Sequence, residues 1–288
     1  MKSSLRIAAA CLLIAFTIDG GAAESAAAEN PIATQLRALN WVKGPTTVTV
    51  AGNSTITVPE GFVFLDAANT KKFNELVENL ASGTEVLVAP ESLEWSAFLE
   101  FADEGYVKDD DKIDADALLK SMKENNEAGN EERKRRGWTA LNIVGWASPP
   151  AYNKDTKRLE WATVIESEGR QSANFFTKIL GRRGYTSVIL AASNDQLVAA
   201  EATLNTLLDG YKFNSGETYA EWKKGDKVAE YGLAALVLGG AAAIATKKGF
   251  WAIAASFIAA SWKFVAAGVV GLGAWLKNLL KKKADVSR

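Results

Sequence analysis

Alternating apolar and polar positions cover most of the chain between residues 40 and 215 and predict a β-rich body. A hairpin is predicted first, where the threonine-rich runs 46–50 and 54–58 are joined through Gly52 and Asn53. The glycine- and arginine-rich stretch 181–184 is predicted as a later hairpin tip. Further strands are predicted at 62–65, 85–89, 94–101 (with Trp95, Ala97, Leu99 and Phe101 facing the core), 141–147, 159–165, 171–179, 185–192 and 211–213.

Three segments have the apolar spacing of amphipathic helices. The first is predicted after Asp66, a good helix cap, and the second after the acidic run 109–111, which suits a helix N-terminus. The third is predicted to open with a capping box between Ser193 and Gln196. The predicted apolar faces are Phe73, Leu76, Val77 and Leu80; Leu118, Leu119 and Met122; and Leu197, Ala200, Leu204 and Leu208.

The order of these elements predicts an α+β fold. Connections of hairpin length between the later strands imply an antiparallel sheet with helices packed on it. The sheet is entered by a threonine-rich hairpin and closed by a helix and a Tyr-x-Phe strand, 211–213, so the arrangement resembles the Mog1/PsbP-like architecture. We predict one globular domain over residues 40–215, followed by a linker at 216–228.

The N-terminus is typical of a secretory signal peptide. Lys2 and Arg6 precede an apolar run at 7–18, and small residues suited to signal peptidase follow. We predict a leader over residues 1–23, with cleavage as late as 28. A buried N-terminal helix and an uncleaved anchor are the alternatives, although the apolar run is shorter than the roughly 20 residues of a span.

The C-terminal tail predicts membrane attachment. An uncharged run at 231–246 is followed by Lys247 and Lys248 and by a second apolar stretch that only Lys263 interrupts. We predict a transmembrane helix at 229–246 and, at 249–280, either a second span or an interfacial or re-entrant helix. Tryptophans and lysines along the tail favour a lipid environment over the alternative of a buried helical hairpin.

The two ends together predict a bacterial inner-membrane protein whose globular domain faces the periplasm. If the body is exported, the first span delivers Lys247 and Lys248 to the cytoplasm, as the positive-inside rule prefers. The predicted partner is therefore the lipid bilayer, with an envelope protein or an anionic lipid as further candidates.

Composition excludes several kinds of chemistry. The chain has no histidine, and its one cysteine, Cys11, lies in the predicted leader. A mature chain therefore lacks Ser-His-Asp triads, thiol chemistry, Cys/His zinc sites and internal disulfides. With 33 basic and 34 acidic residues there is no basic excess for nucleic acid, so we predict no nucleic-acid partner. No cofactor is predicted.

Two acidic groups are candidates for chemistry. Glu94, Glu100, Glu160 and Glu166 fall on polar faces of predicted strands, where they form either an acid/base couple or an ordinary solvated sheet face. Five aspartates between 109 and 116 form either a calcium loop, without the EF-hand glycine and final glutamate, or a solvated helix N-terminus.

Basic and aromatic residues form a further set of candidates. We predict a phosphate or anionic-lipid site built from two groups of arginines, one near 133–136 and one at the 181–184 tip, against the alternative of exposed charge. The tryptophans either fill the core or line a ligand cleft. The arginines are Arg133, Arg135, Arg136, Arg182 and Arg183, with Lys134 beside them, and the tryptophans are Trp138, Trp146 and Trp161.

Short motifs are spread along the chain, at 39–45, 58–61, 64–67, 105–110, 130–133, 136–138, 144–146, 180–184 and 225–236. They are similar to those of the bacterial membrane-anchored proteins of the domain of unknown function 2167 family. The resemblance implies export and a membrane tail, and it supplies no catalytic residues. The expected function is a non-catalytic binding or assembly module of the cell envelope, with a carboxylate-dependent envelope hydrolase or an oligomerising membrane hairpin as alternatives.

Overall fold

The structure, a computed structural model, describes residues 31–79, 82–193 and 195–239, which belong to one compact unit. Its helices are α1 (Pro31–Arg37), α2 (Ala67–Leu76), α3 (Ala115–Arg135), α4 (Leu197–Leu208) and α5 (Leu233–Val237), with a 3-10 turn at Tyr219–Glu221. Its strands are β1 (Val42–Lys43), β2 (Thr46–Val50), β3 (Ser54–Val58), β4 (Phe62–Leu65), β5 (Val86–Pro90), β6 (Ser96–Ala102), β7 (Tyr106–Lys108), β8 (Asn142–Asn153), β9 (Arg158–Ser167), β10 (Arg170–Leu180), β11 (Tyr185–Ser193), β12 (Tyr211–Phe213) and β13 (Val228–Gly232).

An eight-stranded sheet forms the centre of the domain. Its order is β1-β4-β5-β6-β11-β10-β9-β8, and every neighbouring pair is antiparallel. The strands β8 to β11 follow one another as hairpins, because short polar turns join long β-prone runs. The predicted α+β class with an antiparallel sheet is confirmed.

Two small sheets complete the fold. The threonine-rich hairpin β2–β3 forms as predicted, with Ala51 and Gly52 at φ of 52° and 79° in its turn. Strand β12 adds to β3, and β13 runs parallel to β7. After α4, the chain therefore contributes two further strands, β12 and β13, to the domain.

The central sheet is buried on both faces. Successive side chains of β10 point to opposite faces of the sheet. Phe175 and Ile179 belong to the cluster that α4 covers, whereas Phe176 and Leu180 belong to the cluster that contains Leu118 of α3. We call these the α4 face and the Phe176 face.

Strand β6 shows the same two-sided burial. Trp95, Ala97 and Leu99 are buried as predicted, but Phe101 is only partly buried. Phe98, on the other face, is also buried, because Phe73 of α2 packs against its ring at 6.1 Å between centroids. Both α2 and α3 therefore lie on the Phe176 face, toward opposite edges of the sheet.

The first predicted helix start is confirmed. Asp66 caps α2 by accepting a hydrogen bond from the Asn69 backbone N–H at 2.8 Å. The helix ends at Leu76, so Val77 lies just beyond it, and Leu80 is outside the described residues.

The second helix forms after the acidic run as predicted, whereas the start of the third differs from the prediction. Helix α3 begins at Ala115 with Asp114 as its cap, several residues after the 109–111 run. Helix α4 begins at Leu197, and Gln196 occupies the cap position with no side-chain bond to the backbone. The Ser193 hydroxyl instead bonds to the Gln196 side chain at 2.8 Å, so the predicted capping box is wrong.

Residues 216–228, predicted as a linker, pack against the domain. Tyr219 is buried, and Thr218 and Glu221 form a capping box around the 3-10 turn. Residues 228–232 form β13 rather than the start of a helix, and α5 follows with three of its five residues buried. The globular domain therefore extends beyond the predicted end at 215.

Within residues 31–79, 82–193 and 195–239, no helix has both the length and the hydropathy required to cross a bilayer. The predicted leader at 1–23, the 240–246 part of the predicted first span and the predicted segment at 249–280 lie outside these ranges.

Candidate functional site

The two predicted arginine groups lie at opposite ends of the sheet. Arg133 contacts Thr139, whose side chain reaches Glu168 in the β9–β10 turn. Arg182 and Arg183 lie just beyond the other end of β10, a strand of 11 residues. At about 3.3 Å per residue, β10 separates the groups by roughly 35 Å. They do not form one anion site.

The arginines at the end of α3 have local partners. Arg133 is buried and donates to the Thr139 carbonyl and, at 3.1 Å, to the Glu78 carbonyl just past α2. Arg135 and Arg136 both pair with Glu132. Trp138 lies half-buried under the Arg133 and Arg136 guanidinium groups. This group therefore joins the ends of α2 and α3.

The arginines at the β10–β11 tip hold the segment that follows β12. Arg182 makes two hydrogen bonds to Asp226, at 2.6 and 2.8 Å, and one to the Gly216 carbonyl. Arg183 pairs with Glu217 at 2.8 Å and with Asp103 at 3.1 Å. We call residues 216–237 the junction.

The Arg182–Asp226 ion pair shifts the pKa values of both its members in the direction that keeps them charged. Hydrogen bonds from the Arg182 guanidinium, with one from the Lys223 backbone N–H, lower the pKa of Asp226 to about 2. The bond to Asp226 in turn raises the pKa of Arg182. The pair therefore stays charged throughout the neutral range.

An aromatic group forms a second clasp on the junction. The rings of Tyr106 and Tyr219 stack at 4.4 Å between centroids, and the Tyr219 hydroxyl donates to the Val107 carbonyl. Asp109 accepts from Tyr152 at 2.8 Å and from Lys157 at 3.1 Å. Burial acts to raise the pKa of Asp109, but these bonds, together with the charge of Lys157 and the Tyr219 hydroxyl, lower the pKa below its ordinary value.

The aspartate run divides among structural roles. Asp109 belongs to the aromatic clasp, Asp114 caps α3, and the Asp111 carboxylate contacts Gly232 at the start of α5. In the described part of the chain, no three acidic side chains lie close enough to hold a metal ion together.

The four predicted carboxylates do not converge. Glu100 pairs in register with Ser187, which pairs with Lys178, which in turn pairs with Leu159. Directly paired residues share a face, so Glu100 lies on the Phe176 face, whereas Glu160, next to Leu159, lies on the α4 face. Glu166 shares the face of Glu160, and Glu94 is exposed before β6.

Lys178 is a buried cation in the middle of the sheet, and the sequence prediction missed it. It lies on the Phe176 face of β10 and is 8% exposed. Its Nζ donates to the Ser187 hydroxyl at 2.5 Å and lies 5.8 Å from the Trp161 ring and 5.4 Å from the Tyr185 ring. Aromatic faces and one hydroxyl thus surround the ammonium group.

Burial lowers the pKa of Lys178 to about 8, and the charges of Glu100 and Glu104 oppose that shift only in part. Within the described residues, no carboxylate lies within 4 Å of its Nζ. At neutral pH the amine is therefore mainly a cation without a bonded counter-ion.

Two further buried groups on this face have no hydrogen-bond partner among the residues that the structure describes. Asn174 is 1% exposed, and neither its amide nitrogen nor its oxygen is bonded. Trp161 is 2% exposed, and its indole N–H is also unbonded. Asn174, Phe176 and Lys178 are alternate residues of β10, and Trp161 pairs in register with Phe176. We call Trp161, Asn174, Lys178 and Ser187 the Lys178 site.

Of the other tryptophans, Trp146 packs against the Phe176-face cluster and donates its indole N–H to the Ala115 carbonyl at 3.1 Å. The signal for the Lys178 site in the sequence is the presence of a lysine and an asparagine within the apolar run 173–180.

The junction also has an exposed side. Trp222 is 39% exposed and Val228 is 37% exposed, while Lys223, Lys224 and Lys227 beside them are exposed to solvent. Exposed apolar and cationic side chains therefore occur close together along the junction.

A family model described as a protein of unknown function (DUF2167) matches residues 42–273. The chain belongs to this family. Both motifs that meet at the Arg182–Asp226 pair lie inside the DUF2167 match.

Comparison with solved structures finds the solution structure of cyanobacterial PsbP (CyanoP) from Synechocystis sp. PCC 6803. It is similar to the DUF2167 chain at 11% identity and a TM-score of 0.33, covering 61% of this chain and 92% of that chain. No curated protein matches the chain.

Proposed function

We propose that this DUF2167 protein is a binding or assembly module of the bacterial cell envelope, exported to the periplasmic side and held at the inner membrane by its tail. This cellular location is inferred from the leader, with its basic residues and apolar run, and from the apolar residues after 239.

The exposed side of the junction is the observation that carries the proposal. Tryptophan and lysine are residue types that membrane proteins place at the lipid–water boundary, because each combines an apolar part with a polar end. Trp222, Lys223, Lys224 and Lys227 are exposed within the junction, which leads into the apolar residues after 239. These lysines also suit anionic lipid head groups.

The junction packs against the domain through several contacts. Two arginine pairs and the aromatic clasp hold residues 216–227, and the buried residues Leu233 and Leu236 extend the core into α5. A junction that packs on the domain in this way suits recognition or assembly more than a flexible tether does.

The alternative of a carboxylate-dependent hydrolase needs an acid/base couple of carboxylates. Glu100 and Glu160 do not form one, because they lie on opposite faces of the sheet. The oligomerising hairpin depends on residues after 239 and remains a prediction.

Labelling of single cysteines in cells tests the placement. In a Cys11→Ser background the chain contains no cysteine, so one added cysteine reports its own compartment. Val198→Cys, at a position that is 80% exposed on α4, is expected to react with a membrane-impermeant maleimide in cells whose outer membrane is permeable. Lys248→Cys, on the predicted cytoplasmic side, is expected to react only after lysis.

The matched control compares Trp222→Ala/Lys223→Gln/Lys224→Gln with a triple variant on α2, α4 and β12 that removes the same charge, Lys71→Gln/Val198→Ala/Lys212→Gln. Only the first set is expected to weaken binding of a tail-deleted chain ending at Gly239 to vesicles that contain phosphatidylglycerol. Labelling of Val198→Cys only after lysis would exclude the exported placement, and equal vesicle binding by both sets would exclude the lipid contact.

A further inference from the structure

The Lys178 site has unused hydrogen-bond donors in a buried, aromatic setting. A lysine ammonium has three N–H groups, and Ser187 accepts one of them. Because the Ser187 oxygen accepts from Lys178, its own O–H is directed elsewhere. The indole N–H of Trp161 is a further donor without a partner among the described residues.

The Lys178 ammonium group and the Trp161 indole are neighbours on the Phe176 face. Lys178 Nζ lies 5.8 Å from the centre of the Trp161 ring. Buried polar groups in folded proteins are normally bonded, and a buried charge is normally paired. A ligand that accepts hydrogen bonds and carries negative charge satisfies both conditions here.

The surroundings define the rest of the ligand. Phe176 stacks on Trp161 at 5.1 Å and 9° between ring planes, and Tyr185 is buried on the other side of Lys178. Ser187 and its face neighbour Ile189 are only partly buried, so this part of the face is the accessible side. Apolar walls with a few convergent polar groups are typical of small-molecule sites.

We propose that the Lys178 site binds a small carboxylate with a flat or unbranched apolar body. Its carboxylate accepts from Lys178 Nζ, the Trp161 indole N–H and the Ser187 hydroxyl, and its apolar body contacts Phe176 and Ile189. Asn174, about 13 Å along the strand from Lys178, supplies an amide for a polar group at the far end of a longer ligand.

Paired probes of the same shape test the charge requirement. Binding of 4-phenylbutyrate and of the uncharged 4-phenylbutan-1-ol to the full-length protein in detergent micelles is measured by calorimetry, so that the alcohol accounts for partition into the micelle. The acid is expected to bind at least about tenfold more tightly, as a charge-assisted hydrogen bond implies.

Three variants assign that preference to its donors. Lys178→Met is expected to remove the preference, and Trp161→Phe, which keeps the ring but not the N–H, is expected to reduce it several-fold. Lys212→Met, at an exposed lysine on β12, is expected to leave it unchanged. Circular dichroism of each variant verifies folding.

Equal binding of acid and alcohol by the unchanged protein overturns the proposal, as does failure of the acid to bind up to its solubility limit. An equal loss in Lys212→Met overturns it too, because the effect is then one of net charge. None of these outcomes depends on the membrane placement.

Discussion

Arg182 and Asp226 form a two-fold hydrogen-bonded ion pair between positions 44 residues apart. One belongs to the 180–184 motif at the β10–β11 tip and the other to the 225–236 motif that leads into α5. Through this pair the two motifs fix the junction to the sheet.

Loss of the Asp226 charge is expected to destabilise the domain, and acid is expected to have the same effect. The folded pKa of about 2 lies below the ordinary 3.8, so the pair contributes fully above about pH 4 and is lost as the pH falls through 2. Urea midpoints measured from pH 7 to pH 2 should therefore be lower for Asp226→Asn at pH 7 and converge with the unchanged protein near pH 2. Asp155→Asn, at an exposed carboxylate in the β8–β9 turn, serves as the control.

Truncation of Leu236 should show that α5 belongs to the core. Leu236 is fully buried, so Leu236→Ala is expected to cost about 2–5 kcal/mol of unfolding free energy through lost burial and the cavity that remains. Val198→Ala, at an 80% exposed position, should cost little. Equal urea midpoints for the two variants would mean that α5 lies free of the domain.

The third prediction concerns Gly184 in the β10–β11 tip, where the backbone lies close to the backbone of β6. A Cβ at Gly184 lies 1.8 Å from the Ala102 carbonyl oxygen, whereas one at Gly145 meets nothing within 4 Å. Gly184→Ala is therefore expected to cost about 3 kcal/mol or more, and Gly145→Ala to be nearly neutral. Thermal unfolding distinguishes the two, and a mild effect at Gly184 would mean that β6 and the tip are not in contact.

Much of the fold follows from the sequence, because local patterns determine it. The threonine-rich hairpin and the Asp66 cap are short-range features, and they form as predicted. The junction does not follow, since its glycines, lysines and acidic residues resemble a linker and its contacts are distant ion pairs. Strand β8 extends past its predicted end at 147, through Pro149 and Pro150, because an edge strand tolerates proline.

Removal of the buried amine should change how stability depends on pH. The folded pKa of Lys178, about 8, lies below the ordinary 10.5, so between these values the unfolded chain holds a proton that the folded chain has released. Stability should therefore rise across this window by roughly 3 kcal/mol relative to Lys178→Met. Parallel curves from urea titrations of the two proteins would contradict the buried position of the amine.

The Lys178 site was not predicted, for a physical reason. Sequence patterns distinguish a polar face from an apolar one, but β10 is buried on both faces and has no polar side. Lys178 and Asn174 are exceptions within an apolar run rather than members of a pattern. The arginines were predicted as one site because sequence alone does not show that β10 separates the two groups.

Hydrogen exchange of the full-length protein in membranes tests the docked junction most directly. The account predicts that amides in β13 and α5 exchange as slowly as those in β10 and β11, because they belong to the same folded unit. Exchange of residues 218–237 at the rate of an unstructured chain, while β10 stays protected, would contradict it.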